Sequence, residues 1–469
     1  MSSTSLTPRR SLALRPRAPM GPWRARWRHW LARLRLLHRS GELTRRLLLS
    51  SPLLAVGFAI WAFGGVYGWA YGSAYLLIYA ALAAWCVEWW RGRLPAHWKW
   101  IYLPLLGFGL FAQAQAALGW SAVASATVTA LVHLGAAGAL FLLITQCYRG
   151  DRDVRALTTV CSLCTGALAL LAILQLLTDR QGLYWTFTYE FASPAGSFVN
   201  RNHFAGCMEM LLPVACVAAY QRRRLAWLRF LPWAAVPALG VAAVLLSASR
   251  GGAAALSTEA LAAILILLYL ERKRRQTAAG TGRRARRRPL YLIGTLTVGL
   301  VLLVGTQALQ SRLHGLDASG PDAGTRAQLN RSSWAMFQAR PLAGWGLGTW
   351  ADVYPAFARF NDGNVYLFAH NDYLQLLAET GVVGVCLAGS FWAIWLAAFL
   401  DRLRRWPPEL VHSPGGAPAA IPLAVACALG CAGLLVHSFV DFNLHIPSNL
   451  LLFFTLAALA LPPEKAPQA

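Results

Sequence analysis

Acidic residues are the scarcest chemistry in this sequence. Only 19 of its 469 residues are Asp or Glu, and charged residues of both signs make up 13%. Soluble domains carry about 25% charged residues, so the balance excludes a set of ordinary soluble domains. Also missing are a Gly-x-x-x-x-Gly-Lys-Ser/Thr phosphate loop, a Gly-x-Gly-x-x-Gly dinucleotide fingerprint and a His-Glu-x-x-His helix. ATP-driven, NAD-dependent and zinc-hydrolase chemistries therefore have no motif to stand on. No internal repeat is visible, and no pair of broken helices recurs in two halves, as inverted-repeat transporters usually show. The nine cysteines form no disulfide framework; Cys161-Ser-Leu-Cys164 has redox or zinc spacing but lies in an apolar run, where packing is the simpler reading.

What fills the space is hydrophobic: 57% of the chain. Apolar runs of about 20 residues, the length of a membrane-spanning helix, fall near 47–66, 69–90, 100–118, 122–147, 154–178, 203–220, 227–248, 252–270, 289–308, 381–400, 419–439 and 448–462. The expectation is an all-α polytopic membrane protein of about twelve transmembrane helices. An Arg-rich tail, 1–46, precedes helices 1–9 (47–308). A large, mostly helical loop (309–380), helices 10–12 (381–462) and a short tail (463–469) follow.

The net charge of +24 invites a nucleic-acid reading, but its placement argues against one. With 1–46 cytoplasmic and twelve spans, 35 of the 43 Lys and Arg fall on the cytoplasmic side, nine of them within the loop 271–288. That is the positive-inside bias of membrane topology. Both termini are then cytoplasmic and the long loop lies outside. The tail is too long for a secretory signal and no small-residue cleavage site follows its first apolar run. It reads as a solvated basic segment or, around Trp23 to Trp30, as a short helix on anionic lipid.

The eight outer arginines run against this bias, so each calls for a reason. Arg250 stands in Ser247-Ala-Ser-Arg250-Gly-Gly252, the tip between two spans. Arg201 stands in Gly196-Ser-Phe-Val-Asn200-Arg-Asn-His203-Phe204, where a span re-enters. A charge at membrane depth is expensive and marks a candidate site; the alternative is snorkelling to lipid headgroups. Arginine's planar fork suits a diphosphate. His370 precedes a helix start, with Asn371 or Asp372 as cap, Gln375 placed as in a capping box, and Gly381 as a stop. A histidine there can act as a general base near neutral pH or can simply be packed. His203, His437 and His445 are weaker candidates. Asp441 can line the site or pair an arginine, and Glu209 and Glu259 can relay protons or make structural hydrogen bonds. The outer side offers no Asp-x-Asp pair for a metal. Within the long loop, Leu329, Trp334 and Phe337 predict a helix over Thr325 to Arg340, the Gly-rich run Pro341 to Gly348 predicts a turn, and a second short helix is expected over 349–360.

Four stretches together resemble the O-antigen ligase and polymerase superfamily of bacterial inner-membrane glycosyltransferases. They are Gly196 to Ala205; Ser249-Arg-Gly-Gly; Thr325-Arg326-Ala-Gln-Leu with Met336-Phe and Pro341-Leu-Ala-Gly-Trp-Gly; and Ala369-His-Asn-Asp-Tyr-Leu-Gln-Leu-Leu-Ala-Glu-Thr-Gly381. The resemblance implies an active site at the periplasmic face and a glycan donor on undecaprenyl diphosphate. It implies His370 as catalytic base and Arg250 and Arg326 as diphosphate ligands, with Arg201 a third. Asn371, Asn200, His203 and Asp441 are expected to line the site. Inversion at the anomeric carbon with no metal, ATP or other cofactor is implied. Lipid A-core and a growing polysaccharide are the acceptors expected, with membrane lipids and no nucleic acid as surroundings. Transfer to a protein is a further option within the superfamily. A transporter or flippase for lipid-linked glycans is the rival from another class, using the same arginines without a base.

Overall fold

The computed structural model describes residues 41–178, 182–187, 195–277, 323–405 and 420–463. The expected span 289–308, the start of the long loop and most of both tails and of the basic loop lie outside these. The chain divides into two units, 1–47 and 48–469. In the first, the described residues open a helix whose Glu42 carboxylate binds both Arg45 and Arg46.

Thirteen α-helices are described: α1 (Glu42–Trp61), α2 (Gly68–Trp90), α3 (Tyr102–Ala117), α4 (Ala124–Cys147), α5 (Asp151–Leu177), α6 (Arg201–Arg222), α7 (Trp227–Leu246), α8 (Arg250–Thr277), α9 (Ala323–Ala339), α10 (Trp350–Val353), α11 (Asp372–Arg404), α12 (Ala420–His437) and α13 (Pro447–Ala460). Among the described residues only isolated β-bridges occur. Eight of these helices (α1, α2, α4 to α8 and α11) are long and apolar enough to cross a membrane, and α12 and α13 are shorter apolar helices. Helices coincide with eleven of the twelve apolar runs; the twelfth is 289–308.

Small residues set the packing. α12 lies against α6, α8 and α13, and its glycines allow close approach. A Cβ on Gly430 would press on the Met210 backbone of α6, and one on Gly433 would meet Glu259 of α8. Van der Waals contact through small residues is the main attraction between helices in lipid. α6 and α13 are buried on nearly every face, so they form the inner layer of the bundle.

The element that positions the rest is α11, which breaks at Gly381 (φ 61°, ψ −164°) and resumes as a membrane span. The Gly-rich turn after α9 satisfies the backbone groups freed by the break. Trp345 N and Gly346 N donate to the carbonyls of Ala378 and Glu379, which end the first segment (3.2 and 2.8 Å). Val382 N and Val383 N, which start the second, donate to the carbonyls of Pro341 and Leu342 (2.9 and 3.2 Å). The turn can come this close only because Gly344 and Gly381 lack side chains: a Cβ on either would collide with the facing backbone. The side chain of Gln115 locks the turn to α3 by donating to the carbonyls of Ala343 and Glu379 and accepting from Leu347 N.

The expected loop helix forms, over Ala323–Ala339, but it packs Leu329 and Met336 against Trp350, Tyr354 and Ala369 while Trp334 of the expected stripe stays exposed. The second helix is shorter than expected. It covers Trp350–Val353 and tightens to a 3₁₀ turn at Tyr354–Ala356, because Pro355 has no N–H to carry an α-helix on.

Gly381→Ala forces a side chain into a backbone conformation that only glycine adopts freely, against the Leu342 carbonyl. We expect a loss of about 2–4 kcal/mol, read as a lower melting temperature of the detergent-solubilised protein. A variant as stable as wild type would contradict the stitched break.

Candidate functional site

The first turn of α11 is held from three directions. Asn371 is its N-cap, its Oδ1 accepting from Tyr373 N and Leu374 N (both 3.1 Å). Gln375 makes no capping box. Its side chain reaches back to accept from Ala369 N and forward to donate to Glu379, because Glu379 is the buried acceptor for Gly348 N and Trp350 N and needs a third donor. Asp372 turns to the segment after α12. Its N–H donates to the Ser438 carbonyl (2.9 Å), one carboxylate oxygen accepts from Leu444 N (3.1 Å) and the other pairs with His445 Nδ1 (2.8 Å).

These bonds bring His370 and Asp441 together. His370 sits at φ 52°, a left-handed conformation uncommon for a non-glycine residue. Its Nδ1 lies 3.5 Å from Asp441 Oδ1, with the histidine side chain 13% exposed and the aspartate 1%. His203 Nε2 lies 3.9 Å from the same oxygen. The two imidazoles, one from α6 and one from the residue before the α11 cap, each meet the Phe442 ring edge-on with centroids 4.7 Å away, and Phe368 stacks on the same ring at 4.3 Å. Asp441 Oδ1 also accepts from Phe442 N (2.9 Å). Burial alone would raise the Asp441 carboxyl, but its neighbours His370, His203 and His437 outweigh this and hold it below the usual carboxylate range. It is a buried carboxylate facing imidazoles, within ion-pair distance of His370 Nδ1.

The remaining expected residues are placed as follows. Asn200 caps α6, accepting from Asn202 N (2.8 Å). Arg201 is the first residue of α6 and half-buried; Arg250 is the first residue of α8 and exposed. Both helices start at the end of the bundle that holds His370. Asn449, in α13, donates to the His203 carbonyl, and Gly251 lies against His437. Arg326 is in the first turn of α9, half-buried, with its Nε enclosed and without a partner. It lies one turn before Leu329, which packs with Ala369. No hydrogen bond or ion pair joins Arg250 or Arg326 to His370. Among the described residues no group of three His, Cys, Asp or Glu is arranged to hold a metal ion.

Two features go beyond what the sequence suggests. Asp372, locally no more than a possible cap, fastens the 438–445 segment to α11. Phe442, which belongs to no motif, touches both histidines. The alternation of polar Asp441, Asn443 and His445 is the available signal, since polar residues flanking an apolar span end need partners.

The eight helices of spanning length describe a multi-pass membrane protein, with a histidine–aspartate pair at one end of its bundle. Residues 233–389, about a third of the chain, match the family model described as O-Antigen ligase. This match supports membership of the O-antigen ligase/polymerase superfamily, whose general activity is glycosyl transfer of that type. It includes Arg250, Arg326 and His370 and leaves Arg201, His203 and Asp441 outside. No curated protein matches the chain.

Burial lowers the His445 imidazole, and the hydrogen-bonded Asp372 carboxylate more than offsets this, so His445 titrates above its ordinary range. A raised folded pKa stabilises fully below the unfolded value, about 6.5, and that stabilisation is lost as pH rises through the folded value. The melting-temperature advantage of wild type over His445→Gln is therefore expected to shrink from about pH 6 to about pH 9. A constant or growing gap would contradict the pairing.

Proposed function

We propose that the protein transfers a glycan from undecaprenyl diphosphate to an acceptor hydroxyl at the periplasmic face of a bacterial inner membrane. The reaction is a single displacement that inverts the anomeric carbon, with the acceptor either lipid A-core or a growing polysaccharide. His370 takes the proton of the hydroxyl through Nε2 as that oxygen attacks. Asp441 holds the imidazole in the Nδ1–H tautomer and balances the charge it acquires. Arg250 and Arg326, with Arg201, bind the diphosphate and stabilise the negative charge it gains on leaving. Both termini are cytoplasmic in this arrangement, following the basic loops.

The observation that carries the reading is the His370–Asp441 pair, 3.5 Å apart with the aspartate buried. It is supported by the starts of α6 and α8, which bring Arg201 and Arg250 to the same end of the bundle, and by the family match around His370, Arg250 and Arg326.

Reconstitution with undecaprenyl-diphosphate glycan and candidate acceptors tests the reaction and identifies which acceptor is extended. His370→Ala is expected to lower the transfer rate about 10²–10⁴-fold, the range of a general base, while leaving protein level and donor binding intact. Normal transfer by that variant would remove the base, and a transporter of lipid-linked glycans would be indifferent to it. Arg250→Lys keeps the charge and loses the fork, so donor affinity is expected to fall about tenfold or more; unchanged affinity would sink the diphosphate role.

A further inference from the structure

Below the Asp372–His445 junction lies a half-open cavity of about 260 Å³ that the proposed chemistry does not use. Its walls come from α3, α4, α11 and α13, and its roof from Leu347 and Gly348 of the Gly-rich turn. Neither α6 nor α8, which begin with Arg201 and Arg250, contributes to it. Along α13 the cavity runs from Pro447 to Phe454, about 10 Å at the rise of an α-helix. Its lower end lies among aromatic rings, with Phe391 and Trp392 of α11 set against Phe454 and Phe453 of α13. The titratable lining residues, His133, Asp372, Glu379 and His445, belong to the roofed end. His133 is there because Ala130, one turn earlier in α4, stands against Gly348.

The two carboxylates of the roofed end are already satisfied. Asp372 is bonded by Leu444 N and His445, and Glu379 by Gly348 N, Trp350 N and Gln375. The two imidazoles are not. His445 uses only Nδ1, on Asp372, and its side chain is 28% exposed. His133 Nδ1 lies 2.6 Å from the hydroxyl of Tyr75, a buried side chain whose hydroxyl has no other partner among the described residues. A buried hydroxyl hydrogen needs an acceptor, so Nδ1 accepts it and Nε2 carries the ring hydrogen. Among the described residues neither His133 Nε2 nor His445 Nε2 has a hydrogen-bond partner, and neither is sealed. The roofed end thus offers a fixed N–H donor, reachable from the cavity that His133 lines.

Apolar walls at membrane depth and a donor at one end fit an amphiphile lying along the helices, with its hydrocarbon chain below and an acceptor oxygen at the top. Charge narrows the class. The described lining residues include two carboxylates and no Lys or Arg. A diphosphate drawn into this end would therefore face carboxylates without a fixed cation, a costly burial of charge. An ester carbonyl is neutral and only accepts, which suits His133 Nε2–H. A glycerophospholipid carries such carbonyls at the head of each chain, and its phosphate stays outside in the headgroup layer.

We propose that this cavity binds one acyl chain of a glycerophospholipid, with the ester carbonyl accepting from His133 Nε2–H and the chain lying between α11 and α13. The bound chain fills the space under the Asp372–His445 junction. A membrane lipid then becomes part of the frame that holds the first turn of α11.

Native mass spectrometry tests the assignment on the full-length protein. After extraction in mild detergent from vesicles of phosphatidylethanolamine, phosphatidylglycerol and undecaprenyl diphosphate, wild type is expected to retain one phospholipid. Ala388 lines the cavity from α11, and Ala388→Phe should fill it and abolish retention. His133→Phe keeps a ring and deletes the donor, so retention should weaken about 2- to 10-fold, the effect of one hydrogen bond. No retained lipid, undecaprenyl diphosphate retained in place of phospholipid, or retention undiminished in either variant overturns the proposal. If Ala388→Phe does not fold, carbene labelling of wild type by a phosphatidylglycerol with a diazirine near its chain end decides. Phe391 and Phe454 are buried, so chains of the surrounding bilayer do not reach them and a chain in the cavity does. Label on these rings is expected; label confined to exposed residues such as Leu396 overturns the assignment. Neither measurement involves glycan transfer, so failure of this inference and failure of the proposed reaction are told apart.

Discussion

A helix that breaks among apolar side chains must have every freed backbone group satisfied by protein, because the bilayer offers no water to do it. The break of α11 at Gly381 meets this demand through the turn from Pro341 to Gly346, whose N–H groups serve one helical segment and whose carbonyls serve the other. Much follows from that exchange. It fixes where the short segment Asp372 to Thr380 points and hence where its first turn lies. It anchors the long loop to the bundle through Gln115 and Glu379. It also lets a loop helix, α9, pack its apolar face on the stretch of chain that leads to His370.

The second constraint is the carboxylate of Asp372. Together with its backbone N–H, it ties the start of α11 to the segment between α12 and α13, and this segment contributes Asp441. The histidine–aspartate geometry is thus a product of two junctions, one of backbone and one of side chain. Neither involves the side chains of His370 and Asp441, so each of those can be altered while the frame that holds them persists.

How far the sequence alone reveals this varies with the kind of information required. Apolar runs of spanning length locate the helices well, since burial in lipid depends on composition and length, and eleven of twelve runs coincide with described helices. Asn371 as cap and Gly381 as stop are readable because each acts within its own turn. Asp441 is expected among the residues lining the site, but its pairing with His370 is not readable, since the two lie far apart in the chain and nothing local links them. Gln375 misleads for the same reason: its spacing fits a local capping box, but buried Glu379 competes for it, and burial is a property of the tertiary structure. The pairing of Glu209 with His437 likewise joins residues whose separate sequence contexts say only that each is polar among apolar neighbours.

The distance along the chain between His370 and Asp441 also has a temporal side. Membrane helices are made in order from the N-terminus, and α12 and its following segment come last but one. A nascent chain that has already inserted α11 possesses the histidine but not the aspartate, nor His445 to steady Asp372. The centre therefore cannot form before the segment after α12 has been made. It is completed only when α12 has packed against α6 and α8.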